Sequence, residues 1–280
     1  MSRQMSQTMI LCDQAASVSA LDPNLLTKIN LPASIRERAA AGRVTFTGPL
    51  LLVCGRSFLW MASQGLVALI FLAQHHTSPW REATYWWSIC FTLADLTCLA
   101  AMRSFTRREG IRIRDLIGPI RMRHGRDLFL GLGYYMLVFP VFLGGGYLAQ
   151  ASFYGSRTNP SAYFLFSHAL PLWAVIYSLS IYWIIQSATE ELTYQGYVLP
   201  RLEALTGRSW IAFALVAFWF TAQHCAIGFV PDWRSLACRF LGFLPGCMVM
   251  IAIYKRTRRL MPLIIAHWLI DIGAILMTTL

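Results

Sequence analysis

Residues 209–230 read SWIAFALVAFWFTAQHCAIGFV, twenty-two positions without an aspartate, glutamate, lysine or arginine. As a helix rising 1.5 Å per residue the stretch is about 33 Å long, enough to cross a hydrocarbon core of roughly 30 Å. Working outward, further stretches of spanning length run at about 50–74, 84–103, 127–150, 170–200, 235–254 and 260–279. The chain of 280 residues is 56% hydrophobic and 13% charged, against roughly 45–50% and 25% in an ordinary soluble domain. Its mean hydropathy is +0.51. An all-α, polytopic transmembrane helical bundle of about seven spans is expected, and a soluble globule is excluded.

The fourth stretch is the least regular, because Pro171 interrupts it and Glu190 and Glu191 lie within it. A kink or break is predicted there. Gly144, Gly145 and Gly146 are expected to end the third span at a close helix approach. Residues 1–48 are mixed and polar and form an N-terminal arm, with a short helix around Pro32 to Ala41. The arm has no secretory signal pattern, so the first span is expected to target the chain itself. Residues 49–160 form N-terminal transmembrane helices with an Arg-rich loop at 103–126, and residues 161–280 form a C-terminal core whose last four spans carry the polar residues. The seven cysteines include no CxxC pair and read as small buried hydrophobes.

The formal charge of +11 acquires meaning from its placement. Arg103, Arg107, Arg108, Arg112, Arg114, Arg121, Arg123 and Arg126 crowd one interval between apolar runs, and Lys255, Arg256, Arg258 and Arg259 another. With seven spans, these loops, the arm and the turn holding Arg201 and Arg208 fall on one side. Only Arg81, Arg157 and Arg234 fall on the other. The positive-inside rule then puts the N terminus in the cytoplasm and the C terminus outside, which in a bacterium means the plasma membrane. No nucleic-acid-binding signature accompanies the charge, so no nucleic acid is expected. The polybasic loop is expected to meet anionic lipid headgroups.

Charged groups at membrane depth are costly and need a reason. Arg56 and Arg239 lie near span ends, from which they can snorkel, and Asp95 can pair with one of them; a structural ion pair is expected. His168 reads as a solvated or hydrogen-bonded histidine near the outer end of the kinked segment. The other groups converge. Glu190 precedes the turn at Gly207 by seventeen residues and His224 follows it by seventeen, so an antiparallel helix pair brings them to one depth. His267 and Asp271 are spaced i, i+4 and share a helix face. Three helices thus present Glu190, His224, His267 and Asp271 to one point near mid-membrane. A carboxylate removed from water becomes a competent general base for water near neutral pH, and imidazoles can orient that water or serve a developing oxyanion. The set suits hydrolysis of an amide bond. It equally fits a polar cluster that cements helix packing or a proton path in a transporter.

The segment ATEELTYQGYVLP (188–200), followed by FTAQH (220–224) and HWLID (267–271), resembles the three motifs EExxxR, FxxxH and HxxxN/D of the CPBP family. That family comprises the type II CAAX prenyl endopeptidases and the bacteriocin-processing or immunity proteins, also called the Abi family. The resemblance covers about Trp173 to Leu280. It implies a CPBP-like four-helix core and a metal-independent glutamate protease that cleaves a membrane protein or lipidated peptide near the cytoplasmic side. By position, Glu190 matches the water-activating base, His224 its partner, and His267 and Asp271 the oxyanion pair. Glu191, Gln195 and Phe220 match supporting positions. An ionised Asp271 cannot donate a hydrogen bond, so it must be protonated or instead orient His267. No cofactor is implied, although Glu190, His224 and His267 also resemble a His₂Glu zinc set without the HExxH spacing. The arginine that closes the first motif is Gln195 here, which offers only a neutral hydrogen bond. The alternative is a non-catalytic membrane scaffold or immunity-type protein.

Overall fold

The computed structural model of the protein describes residues 29–117, 124–155 and 170–279. His168, Arg121, Arg123, Arg157 and the arm before residue 29 lie outside these residues. Within them every regular element is a helix. Pro32, with no N–H to leave unsatisfied, opens the short α1 (Pro32–Ala40), where the arm was expected to turn helical. There follow α2 (Thr47–Ala73), α3 (Pro79–Tyr85), α4 (Trp87–Arg108), α5 (Ile113–Ile117) and α6 (His124–Tyr154). The C-terminal part contains α7 (Leu172–Thr206), α8 (Ser209–Ala226), α9 (Trp233–Thr257) and α10 (Met261–Thr279). The helices α2, α4, α6, α7, α8 and α9 are long and apolar enough to span a membrane, and α10 is a seventh apolar helix. The protein is a polytopic all-α bundle.

The ends of the helices follow from local chemistry. Gly207 takes the left-handed conformation with φ 65°, which costs glycine little. It lets α8 fold back against the end of α7. Asp232 caps α9 by accepting from the backbone N–H groups of Arg234 (3.3 Å) and Ser235 (3.0 Å). The glycine run does not end the third span, because α6 continues to Tyr154. It nevertheless marks a close approach. A methyl group on Gly145 would sit 2.5 Å from the carbonyl oxygen of Gly242 in α9, so only glycine permits this contact.

Pro171 does not break the fourth span; it is the residue that precedes α7. The irregularity lies further along, in two π-helical stretches at Ser178–Tyr182 and Leu192–Val198. The second directly follows Glu190 and Glu191 and ends just before Pro200. A regular α-helix there would set the proline ring against the carbonyl of Gly196, and a wider turn avoids that clash.

Helix α7 occupies the centre. It packs against α2, α4, α8 and α10, and its last turns meet α1. Residues 189–204 are buried without interruption. This departs from the expected loop positions of several arginines. Because α7 runs to Thr206, Arg201 lies inside it and is fully buried rather than in a turn. Because α4 runs to Arg108, Arg103, Arg107 and Arg108 lie on its last turns.

Candidate active site

Glu190 from α7, His224 from α8 and His267 from α10 meet in the middle of the bundle. Glu190 Oε1 is 3.8 Å from His224 Nε2 and 3.8 Å from His267 Nε2. These separations exceed a direct hydrogen bond, and a polar contact of this length is the kind that water bridges. His267 Nε2 is also 3.7 Å from Asp271 Oδ1, as the i, i+4 spacing on α10 requires. The structure therefore brings together the four residues singled out for the reacting centre.

The partners of these groups were less legible. Glu191, one residue from Glu190, turns to α10 and places Oε1 2.9 Å from His267 Nδ1. A carboxylate accepts, so Nδ1 carries the hydrogen and Nε2 is the atom free to exchange a proton. Asp271 was expected either to be protonated or to orient His267. Glu191 holds the ring, while Asp271 Oδ2 accepts from the Ser187 hydroxyl at 3.0 Å. Phe220 stacks on Tyr194 with ring centres 4.9 Å apart and lies 6.1 Å from the His224 ring. The His224 ring stacks on Phe243 at 4.1 Å and 11°. Two aromatic side chains from α8 and α9 thus fix the imidazole plane. Gln195 is fully buried, and neither of its amide atoms has a hydrogen-bond partner among the described residues. It makes no hydrogen bond to either glutamate.

The expected ion pair is formed by Arg56 and Asp95, but sequence reasoning missed that Arg56 also reaches Glu190. Arg56 does not snorkel from α2 but is completely buried. Its Nη2 lies 2.7 Å from Asp95 Oδ1 on α4 and 3.3 Å from Glu190 Oε2. Gln186, one turn before Glu190, donates its Nε2 to Glu190 Oε2 at 2.5 Å. Gln223, next to His224, donates its Nε2 to Glu190 Oε1 at 2.5 Å. The available signal was a pair of amide side chains at membrane depth, Gln186 one turn before Glu190 and Gln223 next to His224. Arg239, the other intramembrane arginine, instead donates Nη1 to the carbonyl of Ile227 at 2.5 Å.

Burial is uneven across the site. Glu190, Glu191 and Arg56 have no exposed surface, whereas the side chains of His224 and Asp271 are 11% and 20% exposed. A molecule reaching Glu190 would pass these two residues. Among the described residues no three histidine, cysteine, aspartate or glutamate side chains are placed to hold a metal ion.

A helical bundle with a carboxylate and two imidazoles buried at membrane depth defines a polytopic membrane protein with an intramembrane polar site. Residues 171–273 match the family described as type II CAAX prenyl endopeptidase Rce1-like, so this segment is similar to that family. The match covers less than half of the chain and leaves α2 and α4 outside it. No curated protein and no solved structure matches the chain.

Proposed function

We propose that the protein is an intramembrane endopeptidase in which Glu190 activates water for attack on a peptide carbonyl. The observation that carries this reading is the convergence of His224 Nε2 and His267 Nε2 on one oxygen of Glu190, each at 3.8 Å. A water seated among these three atoms gives one proton to Glu190, and its oxygen bonds to the carbonyl carbon. His224 orients the water. His267, held through Nδ1 by Glu191, presents Nε2 to the developing oxyanion when its ring is protonated. The proton taken by Glu190 then passes to the leaving amine, which breaks the C–N bond and regenerates the carboxylate. Asp271, close to His267 Nε2 and bound to Ser187, fixes the rim on which the substrate carbonyl rests. No metal takes part in this sequence.

The substrate class is a membrane protein or a lipidated peptide. It enters past His224 and Asp271, whose side chains keep some exposure beside the buried Glu190. New protein termini compared between membranes containing wild type and Glu190→Ala, at equal abundance, test the reading without a prior substrate. A set of termini that vanishes in the variant, with or without chelator, is expected. Identical profiles would sink it and favour the non-catalytic scaffold, with unpartnered Gln195 as the sign of lost chemistry. Chelator inhibition reversed by zinc would overturn the metal-free mechanism.

A further inference from the structure

We infer that the site extends beyond the Rce1-like segment: Arg56 of α2 is a positioning residue that supplies Glu190 with its counter-charge and its oriented amide donors, and Asp95 of α4 anchors Arg56. This inference rests on the endopeptidase reading.

The argument begins with what a guanidinium can do. It only donates, so every oxygen that meets it must be an acceptor. Arg56 Nη2 donates to Gln186 Oε1 at 2.9 Å and Nε donates to Gln223 Oε1 at 2.9 Å. Tyr194, from the same turn region of α7, donates its hydroxyl to Gln223 Oε1 at 3.1 Å. With both amide oxygens drawn to Arg56, both NH₂ groups are forced to point the other way. There they meet the two oxygens of Glu190, Gln186 on Oε2 and Gln223 on Oε1. One cation therefore reaches both carboxylate oxygens through two fixed amides, and touches Oε2 directly at 3.3 Å.

Asp95 plays a different part. Its Oδ1 lies 2.7 Å from Arg56 Nη2, in an ion pair whose two side chains are both fully buried. It contributes charge and holds the arginine by attraction, while other hydrogen bonds of Arg56 go to the amides around Glu190. Arg56 is further seated over the Trp60 ring at 5.1 Å. A guanidinium serving Asp95 alone would offer it the forked pair of N–H groups; here the fork is spent on the site. The charged and titratable groups that face Glu190 are Arg56 from α2, Asp95 from α4, Tyr182, Glu191 and Tyr194 from α7, His224 from α8, Cys247 from α9, and His267 and Asp271 from α10. Among these Arg56 is the one permanent cation, so its removal leaves a cluster of carboxylates without a fixed counter-charge.

The test uses the full chain in isolated membranes, incubated between about pH 5 and 9, and reads the rate at which Glu190-dependent termini accumulate. Arg56→Gln is expected to lower that rate about 100-fold and to move the acid limb of the profile to higher pH. Arg56→Lys, which keeps the charge but not the fork, recovers part of the rate. Asp95→Asn stays within about tenfold of wild type, and the Arg56→Gln/Asp95→Asn double variant remains as low as Arg56→Gln. A double variant that returns to the wild-type rate and profile would show that Arg56 serves only Asp95. Arg56→Gln with an unchanged rate and profile overturns the inference equally. If Arg56→Gln does not accumulate, Arg56→Lys and the charge-neutral double variant decide on the same criteria. Wild-type membranes without any Glu190-dependent termini would mark failure of the endopeptidase reading itself.

Discussion

Two fully buried arginines, Arg56 and Arg201, sit in this bundle in opposite ways. Arg201, near the end of α7, offers its fork to a single carboxylate, with Nε and Nη2 each 2.7 Å from the two oxygens of Glu109. Its plane lies 3.9 Å over the Tyr197 ring, its Nη1 donates to Tyr197 O and Asn30 Oδ1, and Asn30 in turn donates to Gly196 O. Arg38 from α1 approaches the same glutamate at 3.4 Å. This cluster is closed, and it fastens α1 and the end of α4 to α7. Arg56 divides its donors among Glu190, Gln186 and Gln223 beside a second carboxylate. Equal burial therefore does not imply an equal role. A saturated fork holds helices together, and a divided one controls the group it partly holds.

The largest effect should come from breaking the closed cluster. Arg201→Gln leaves the buried Glu109 with the more distant Arg38 as its cation, and removing one partner of a buried ion pair costs roughly 3–5 kcal/mol. Folded protein recovered from membranes should fall sharply, together with its thermal unfolding temperature in detergent. The pH profile of the molecules that do fold should remain that of wild type. A stable Arg201→Gln variant, or one with a displaced profile, would break the distinction by placing Arg201 in the working site.

Much of the bundle and of the candidate site was legible because it depends on spacing within or between neighbouring helices. Uninterrupted apolar runs mark the spans, the equal separations of Glu190 and His224 from Gly207 set one depth, and His267 with Asp271 share a face at i, i+4. What escaped depends on distant pairing. Arg56 and Glu190 are 134 residues apart, and no local pattern says that α2 lies against the middle of α7. The roles of Glu191 and Asp271 turned on side-chain direction: adjacent glutamates point about 100° apart on a helix, so one faces the site and the other reaches His267. The π turn that follows them also hid the fate of Gln195. A regular helical count cannot place a residue beyond a change of winding. The arginines near helix ends were misassigned for a simpler reason. Charge was read as a loop signal, whereas Arg201 is neutralised by Glu109 inside the protein.

The contrast sharpens at the pair of adjacent glutamates. Glu190 has Arg56 and two amide donors, whereas Glu191 has Nδ1 of His267, with its Oε2 unpartnered. Glu191→Gln keeps a possible acceptor but removes the charge and allows the amide to present its NH₂ to the ring instead. Loss of such an orienting partner commonly costs 10- to 100-fold in activity. A drop of about tenfold in the Glu190-dependent rate is expected, with normal abundance. A wild-type rate would show that packing against Phe220 and neighbouring side chains suffices to set the His267 ring.

The smallest effect is expected from a third kind of arginine, exposed and outside both clusters. Arg103, Arg107 and Arg108 line a surface hollow of about 440 Å³ on the last turns of α4, together with Ala100 and Ser104. Three guanidinium groups around an open hollow suit the phosphate of an anionic lipid, and each basic residue near a charged membrane surface contributes about 1 kcal/mol. Arg107→Gln should therefore weaken the stabilisation of detergent-solubilised protein by added anionic lipid, about fivefold in the lipid concentration required. Stabilisation by zwitterionic lipid and the Glu190-dependent rate should not change. The difference between the two lipids should shrink with added salt, because the charges at this surface are exposed and screened. If Arg107→Gln instead impairs cleavage while lipid dependence persists, the hollow serves the substrate. The basic end of α4 would then belong with Arg56 among the contributions of the N-terminal helices to the site.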